Sequence, residues 1–261
     1  MIEGGGSRVR IERTPPIARL VLARPEKKNA LDRRMSEELH RALVELAADT
    51  EVRVIALTAD GPDFCAGADL AALAAMVDEP REHHLEDAQA LGRVFSTIRG
   101  LPKVVVGVIR GRALGGGAGL ATACDIVLAH EGAELGYPEV AVGFVPAMVM
   151  TLLRRSVGEK RAFELVASGR RVGAGEALQM GLVSRVVPHD GFDELVQDTL
   201  ARVARAPAEA MQQTKRLFYE LDGLDFGHGM SLGAQRNADA RTTSEFRAGV
   251  LRFLTKGESG Q

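Results

Sequence analysis

Several features that would mark a specialised chain are missing from this one. Lys and Arg (33) almost balance Asp and Glu (35), leaving a formal charge of −2. A general nucleic-acid binder carries a basic excess to meet phosphates, so no nucleic-acid partner is expected. No uninterrupted apolar run approaches the ~20 residues of a membrane span, and no membrane partner is expected either. Met1 to Arg8 lacks the pattern of a signal peptide, which makes the cytoplasm the expected location. Only Cys65 and Cys124 occur, in no C-x-x-C pair, so a thiol redox motif is absent. The histidines (40, 83, 84, 130, 189 and 228) show no H-x-x-x-H spacing, and no metal site is expected. No lysine stands between Lys103 and Lys160, which removes the Gly-Lys-Ser/Thr of a Walker loop from that interval.

What the chain does have is an ordinary globular composition, 46% hydrophobic and 26% charged over 261 residues. That length suffices to bury about three-quarters of the unfolded surface. Inside the lysine-free interval, Val104 to Ile109 reads as a buried strand rich in β-branched residues. A glycine-dense turn follows, and Ala118 to Ala123 reads as the start of a helix. Glycines at such a junction let backbone N–H groups approach a ligand, and the helix start adds its positive dipole end. The junction therefore suits developing negative charge on a phosphate or on an enolate oxygen. The dinucleotide spacing G-x-G-x-x-G fails, because from Gly115 the third glycine would fall at Leu120.

A second corner has the same form. Val52 to Thr58 reads as a strand, Ala66-Gly67-Ala68 as a small-residue turn, and Leu70 to Val77 as an apolar helix. Two such corners can each aim one N–H at a single oxygen, which is a two-donor oxyanion hole. Cys65, in the first of them, reads as a small buried hydrophobe and not as a nucleophile. A carboxylate completes the set. Glu139 follows Pro138, whose fixed φ gives it a stiff support.

Strand and helix signals alternate to about residue 190. Strands are expected at Val9–Glu12, Ala18–Leu22, Arg53–Thr58, Val104–Ile109, Ile126–Ala129 and Val183–Val187. Helices are expected at Ser36–Ala47, Leu70–Val77, Leu85–Ile98, Met148–Arg155 and Glu159–Ala167. Beyond Gly191 the pattern is helical only, at Phe192–Arg205, Ala208–Leu221, Phe226–Ala240 and Thr243–Leu254. This implies an α/β core, 1–190, followed by a helical region, 191–261.

Segments spread over nearly the whole chain resemble the crotonase superfamily, the enoyl-CoA hydratase/isomerase family. They are Leu20-Val-Leu-Ala-Arg-Pro-Glu-Lys-Lys-Asn-Ala-Leu31, Phe64-Cys-Ala-Gly-Ala-Asp69, Ala113-Leu-Gly-Gly-Gly117, Ala123-Cys-Asp125, Pro138-Glu139 and Ala177-Leu-Gln-Met-Gly-Leu-Val183. The resemblance implies a spiral of ββα units with a C-terminal helical trimerisation region, as a homotrimer or a dimer of trimers. It implies an acyl-CoA substrate and no cofactor, coenzyme A being part of the substrate. By the same resemblance the N–H groups of Ala68 and Gly116 form the oxyanion hole for the thioester, and Glu139 is the second of two acids that hydratases use. The first acid falls at Gly119, a departure. Lys27, Lys28 and Ala66 match positions near the CoA path, and Phe253 with Lys256 match residues that reach the nucleotide end from a neighbouring subunit. Gly119 and Met148 fall at the acyl pocket, where Pro146-Ala-Met-Val-Met-Thr151 replaces the family's P-G-x-G-G-T. A hydratase of short or branched enoyl-CoA, an enoyl-CoA isomerase working through Glu139 alone, and a non-catalytic acyl-CoA-binding member all remain open.

Overall fold

The structure, a computed structural model, describes residues 6–258. Along the chain lie β1 (Val9–Thr14), β2 (Ile17–Leu22), α1 (Arg33–Ala48), β3 (Val54–Ala59), α2 (Leu70–Ala75), α3 (Arg81–Gly100), β4 (Val104–Ile109), β5 (Arg112–Leu114), α4 (Gly116–Ala123), β6 (Ile126–His130) and β7 (Glu134–Gly136). There follow α5 (Ala147–Val157), α6 (Glu159–Ser168), β8 (Arg171–Gly173), α7 (Ala174–Met180), β9 (Arg185–Val187), α8 (Phe192–Ala204), α9 (Ala208–Glu220), α10 (Phe226–Thr242) and α11 (Ser244–Glu258).

The larger sheet has six strands in the order β1-β2-β3-β4-β6-β9, and a second sheet has three, β5-β7-β8. In the larger one β1 and β2 pair antiparallel and the other neighbours pair parallel. Its central strands read as continuous apolar runs because both of their faces are covered. Ile55, Leu57, Val105 and Ile109 point into the main core with α1, α3 and α4. Their alternate neighbours Val54, Ala56, Val104, Val106 and Val108 pack instead against Phe192, Val196 and Leu200 of α8. Strand β4 followed by β5 and α4 makes one turn of a spiral, and β6 followed by β7 repeats the step from the larger sheet to the smaller.

The elements expected from pattern are present, with shifted ends. Helix α1 begins at Arg33, ahead of the expected Ser36, because Asp32 caps it by accepting from the Met35 N–H at 2.9 Å. Strand β9 is shorter than expected and begins at Arg185. Strands β5, β7 and β8 and helix α7 were not expected. Three-residue strands are too short to show a period of two.

The helical region after Gly191 starts with α8, which covers the second face of the larger sheet. Helix α9 is anchored to the core by a buried polar cluster. Lys215 Nζ donates to Asp125 Oδ2 at 2.7 Å and to the carbonyls of Ile98 and Lys103 at 2.7 and 2.8 Å. Tyr219 donates to Asp125 Oδ1 at 2.7 Å. Helix α10 buries no residue fully. Phe218, Phe226 and Phe253 are 68%, 84% and 80% exposed.

Candidate active site

Two loops and one short strand pairing build the site. The first corner, between β3 and α2, is fastened on three sides. Asn29, fully buried in the left-handed region at φ 54°, accepts from the Arg24 N–H and donates to the carbonyls of Asp60 and Asp63. Asp63 grips Arg112 of β5 at 2.6 and 2.7 Å, and that guanidinium holds its carboxyl below the usual range. Cys65 then bridges to Ala113: its N–H donates to the Arg112 carbonyl and its carbonyl accepts from Leu114.

Leu31 fixes the direction of the Ala68 N–H. Its N–H donates to the Gly67 carbonyl at 2.7 Å, and its carbonyl accepts from the Asp69 N–H at 2.8 Å. The Ala68 N–H, between these two, faces away from Leu31 and meets no acceptor among the described residues. Beyond it, Asp69 caps α2 and pairs with Arg24 at 2.9 Å. Gly67 has φ +93°, and a Cβ there would stand 2.8 Å from the Leu114 carbonyl oxygen. Glycine is what allows the two corners to lie so close.

Gly116, the other expected donor, starts α4. Gly115 adopts φ 51° and ψ −121°, and its N–H donates to the Gly136 carbonyl at 2.8 Å. Gly116 is the first helical residue, so its N–H has no intrahelical acceptor, and it carries the positive end of the helix dipole.

Glu139 arrives through strand pairing. Strands β5 and β7 run parallel with Leu114 opposite Gly136, so the residues after each strand emerge side by side. A 3-10 turn, Pro138–Val142, then carries Glu139 to Gly115, where a Cβ would lie only 3.0 Å from Oε1. Glu139 is half-buried, and its Oε2 is buried without a hydrogen-bond partner. Burial pushes its carboxyl above the ordinary value, against a weaker opposing bond from its own backbone N–H. Tyr137, fully buried with its hydroxyl 3.1 Å from Thr122 Oγ1, stiffens the approach.

Gly119 lies one turn further along α4, inside the core. A Cβ there would meet Phe95 Cζ at 2.7 Å and Val149 Cγ2 at 2.9 Å. The space a side chain would take is filled by an aromatic edge and a methyl group. Placing an acid at this position is therefore no simple addition. Met148 is half-buried and lines a cavity of about 350 Å³ with Phe95, Arg99 and Arg155.

The structure thus brings Ala66, Ala68, Gly116 and Glu139 to one place. The Lys28 carbonyl joins them by accepting from the Ala66 N–H, while the Lys27 and Lys28 side chains are exposed. Phe253 lies apart on α11, in a groove with Phe246 and Val250, and the side chain of Lys256 lies outside the described residues. Cys65 is fully buried and its thiol is pushed up to about 12, so it stays protonated. Arg24, Asn29, Asp63, Arg112, Tyr137 and Phe95, which support this place, were not expected; apart from the Arg24–Asn29 bond their partners lie far along the chain. Asn29 alone gave a local hint, standing in the family-like Asn29-Ala30-Leu31. Among the described residues no group of three or more His, Cys, Asp or Glu could hold a metal ion, and no helix is long and apolar enough to cross a membrane.

The chain is similar to known proteins along nearly its whole length. Residues 12–260 match the family model described as enoyl-CoA hydratase/isomerase. A Thermus thermophilus protein named "Putative enoyl-CoA hydratase" is 39% identical over 240 residues, covering 92% of this chain and 95% of its own. The 2,3-dehydroadipyl-CoA hydratase of Escherichia coli (strain K12) is 31% identical over 247 residues, covering 94% and 95%. The crystal structure of human enoyl coenzyme A hydratase domain-containing protein 3 superposes with a TM-score of 0.90 at 29% identity, covering 95% of this chain and 98% of that one.

Proposed function

The chain belongs to the enoyl-CoA hydratase/isomerase family of the crotonase superfamily, and from that premise we propose that it hydrates the C2–C3 double bond of a short or branched enoyl-CoA thioester. The observation that carries this reading is the half-buried carboxyl of Glu139, its Oε2 without a partner, beside the N-terminal end of α4. The thioester oxygen takes the two N–H groups of Ala68 and Gly116. Water adds its oxygen to C3, the π electrons move toward C2 and the thioester oxygen, and the resulting enolate charge rests on the two donors. Glu139, held protonated to higher pH than an exposed glutamate, delivers a proton to C2, and the proton that the water sheds on bonding to C3 restores it. The scheme calls on no cofactor beyond the coenzyme A of the substrate.

A second reading has its own observation. The place of the other acid is occupied by Phe95 and Val149, and apolar walls suit proton transfer without water. In that case Glu139 takes a proton from C2 of a 3-enoyl-CoA and returns it to C4, giving the 2-enoyl isomer. Lys27 and Lys28 are exposed cations at the rim and suit the CoA phosphates. Phe253, with Lys256, suits the nucleotide end of a neighbouring subunit's ligand, and the exposed aromatics of α9–α11 suit a homotrimer or a dimer of trimers in the cytoplasm.

One assay separates the readings. Crotonyl-CoA loses the absorbance of its conjugated thioester on hydration, whereas a 3-enoyl-CoA gains that absorbance on isomerisation. Loss with crotonyl-CoA is the expected result. Gain alone supports the isomerase, and no change with either substrate leaves only acyl-CoA binding.

A further inference from the structure

Helices α3 and α4 lie side by side and run the same way. A Cβ on Gly116, at the start of α4, would meet Leu91 of α3 at 3.3 Å, and one on Gly119 would meet Phe95 at 2.7 Å. Moving from Gly116 to Gly119 on one helix thus corresponds to moving from Leu91 to Phe95 on the other. The row on α3 continues backwards by one more turn, to Asp87, at i and i+4 from Leu91. Four residues of helix advance about 6 Å. Asp87 therefore stands one turn beyond Gly116, off the end of α4 where the donor N–H points.

Three features of Asp87 suit a working group. It is half-buried, whereas the six residues before it on α3 are exposed. No hydrogen bond or ion pair engages its carboxyl among the described residues. The charges facing it are Arg33 from the start of α1 and His84 from its own helix, and Arg33 is already paired with Glu37 and Glu86 at 3.0 and 3.1 Å. Burial raises its carboxyl above the ordinary value.

We propose that Asp87 is the second carboxyl group of the site, standing on α3 and not at Gly119, and that it takes the proton of the attacking water. This rests on the hydratase reading. As the water oxygen bonds to C3, its proton passes to Asp87, and Glu139 gives its own proton to C2. The proton then on Asp87 returns to Glu139 through solvent, so both groups end as they began. Proton exchange at C2 of a saturated acyl-CoA needs Glu139 alone.

The test compares hydration of crotonyl-CoA with C2–H exchange of butyryl-CoA in deuterated water, for the native enzyme, Asp87→Asn and Asp87→Glu. Asp87→Asn is expected to lose at least about 10²-fold in kcat for hydration while its exchange rate stays within about threefold of native. Asp87→Glu, which keeps the base, is expected to recover part of the loss. Native hydration by Asp87→Asn overturns the proposal. Equal loss of both reactions, the mark of a structural role, overturns it as well. A native enzyme that exchanges C2–H but hydrates nothing overturns the hydratase reading instead, and Asp87's role with it.

Discussion

In the proposed reaction Glu139 sets function against stability in one side chain. Its Oε2 is buried without a partner, and folding raises its carboxyl above the ordinary range. In the pH window just above that range the folded chain holds a proton the unfolded chain has lost, so the stability this group contributes falls as pH rises. Glu139→Gln keeps the shape and removes the charge. It is expected to abolish turnover with acyl-CoA binding nearly intact, and to unfold at a higher temperature than the native protein at neutral pH. Thermal unfolding at pH 4 and pH 7 checks the sign: the advantage should shrink at the lower pH. Gly119 gives the complementary case. Gly119→Glu must push Phe95 aside, an overpacking that typically costs about 1–3 kcal/mol before its buried charge is counted. Gly119→Glu with Phe95→Ala opens that space, and chemical denaturation should show the double variant recovering stability over the single one.

The deciding element is the N-terminus of α4. Its first N–H is left free by helix geometry, and the β5–β7 pairing delivers Glu139 to the same end. Proline is tolerated at a first helical position because the N–H it lacks makes no intrahelical bond there. Gly116→Pro should therefore fold and still lose at least about 10²-fold in kcat, the scale of one missing oxyanion donor. Gly116→Ala is the control. Its Cβ meets only the flexible ends of Leu31 and Leu91, at 3.1 and 3.3 Å, and it keeps the donor. A folded proline variant with native turnover would rule Gly116 out as a donor. The first corner relies on a different device, backbone bridging of Leu31 to Ala68 and of Cys65 to Ala113, which holds the loop to both neighbours without regular strand structure.

At the scale of the whole molecule, the helical C-terminal part is joined to the core through Lys215 and Asp125. Burial pulls the Lys215 ammonium below its ordinary value even though Asp125 opposes this. Removing one partner of such a pair leaves a buried charge uncompensated. Lys215→Met is expected to destabilise by about 3–5 kcal/mol, and Lys215→Met with Asp125→Leu by clearly less. Urea unfolding of the two variants measures the difference. Further out, Phe218, Phe226, Phe246 and Phe253 stand exposed on α9–α11, apolar surface that further copies of the chain would cover. Sedimentation at micromolar concentration is expected to give three or six times the 27.9 kDa chain mass, and a lone 27.9 kDa species would contradict the assembly.

Local sequence carried the elements whose physics is local. Long periodic runs marked α1, α3, α8 and α9, and β-branched runs marked β3 and β4, because each buries one face or both against whatever lies nearby. The glycine corners and the Pro138-supported glutamate were also legible, since they depend on residue type and short spacing, whereas the acid expected at Gly119 came from the family resemblance. Tertiary structure decided the rest. The β5–β7 register brings Gly115 and Glu139 together across 24 positions, a pairing of three-residue strands that no periodicity announces. Phe95 against Gly119, Leu91 against Gly116, and Lys215 against Asp125 join residues from separate helices or loops. Which side chain fills a gap or meets a charge depends on how helices lie against one another, and that follows from packing the entire core, beyond the reach of any one segment's pattern.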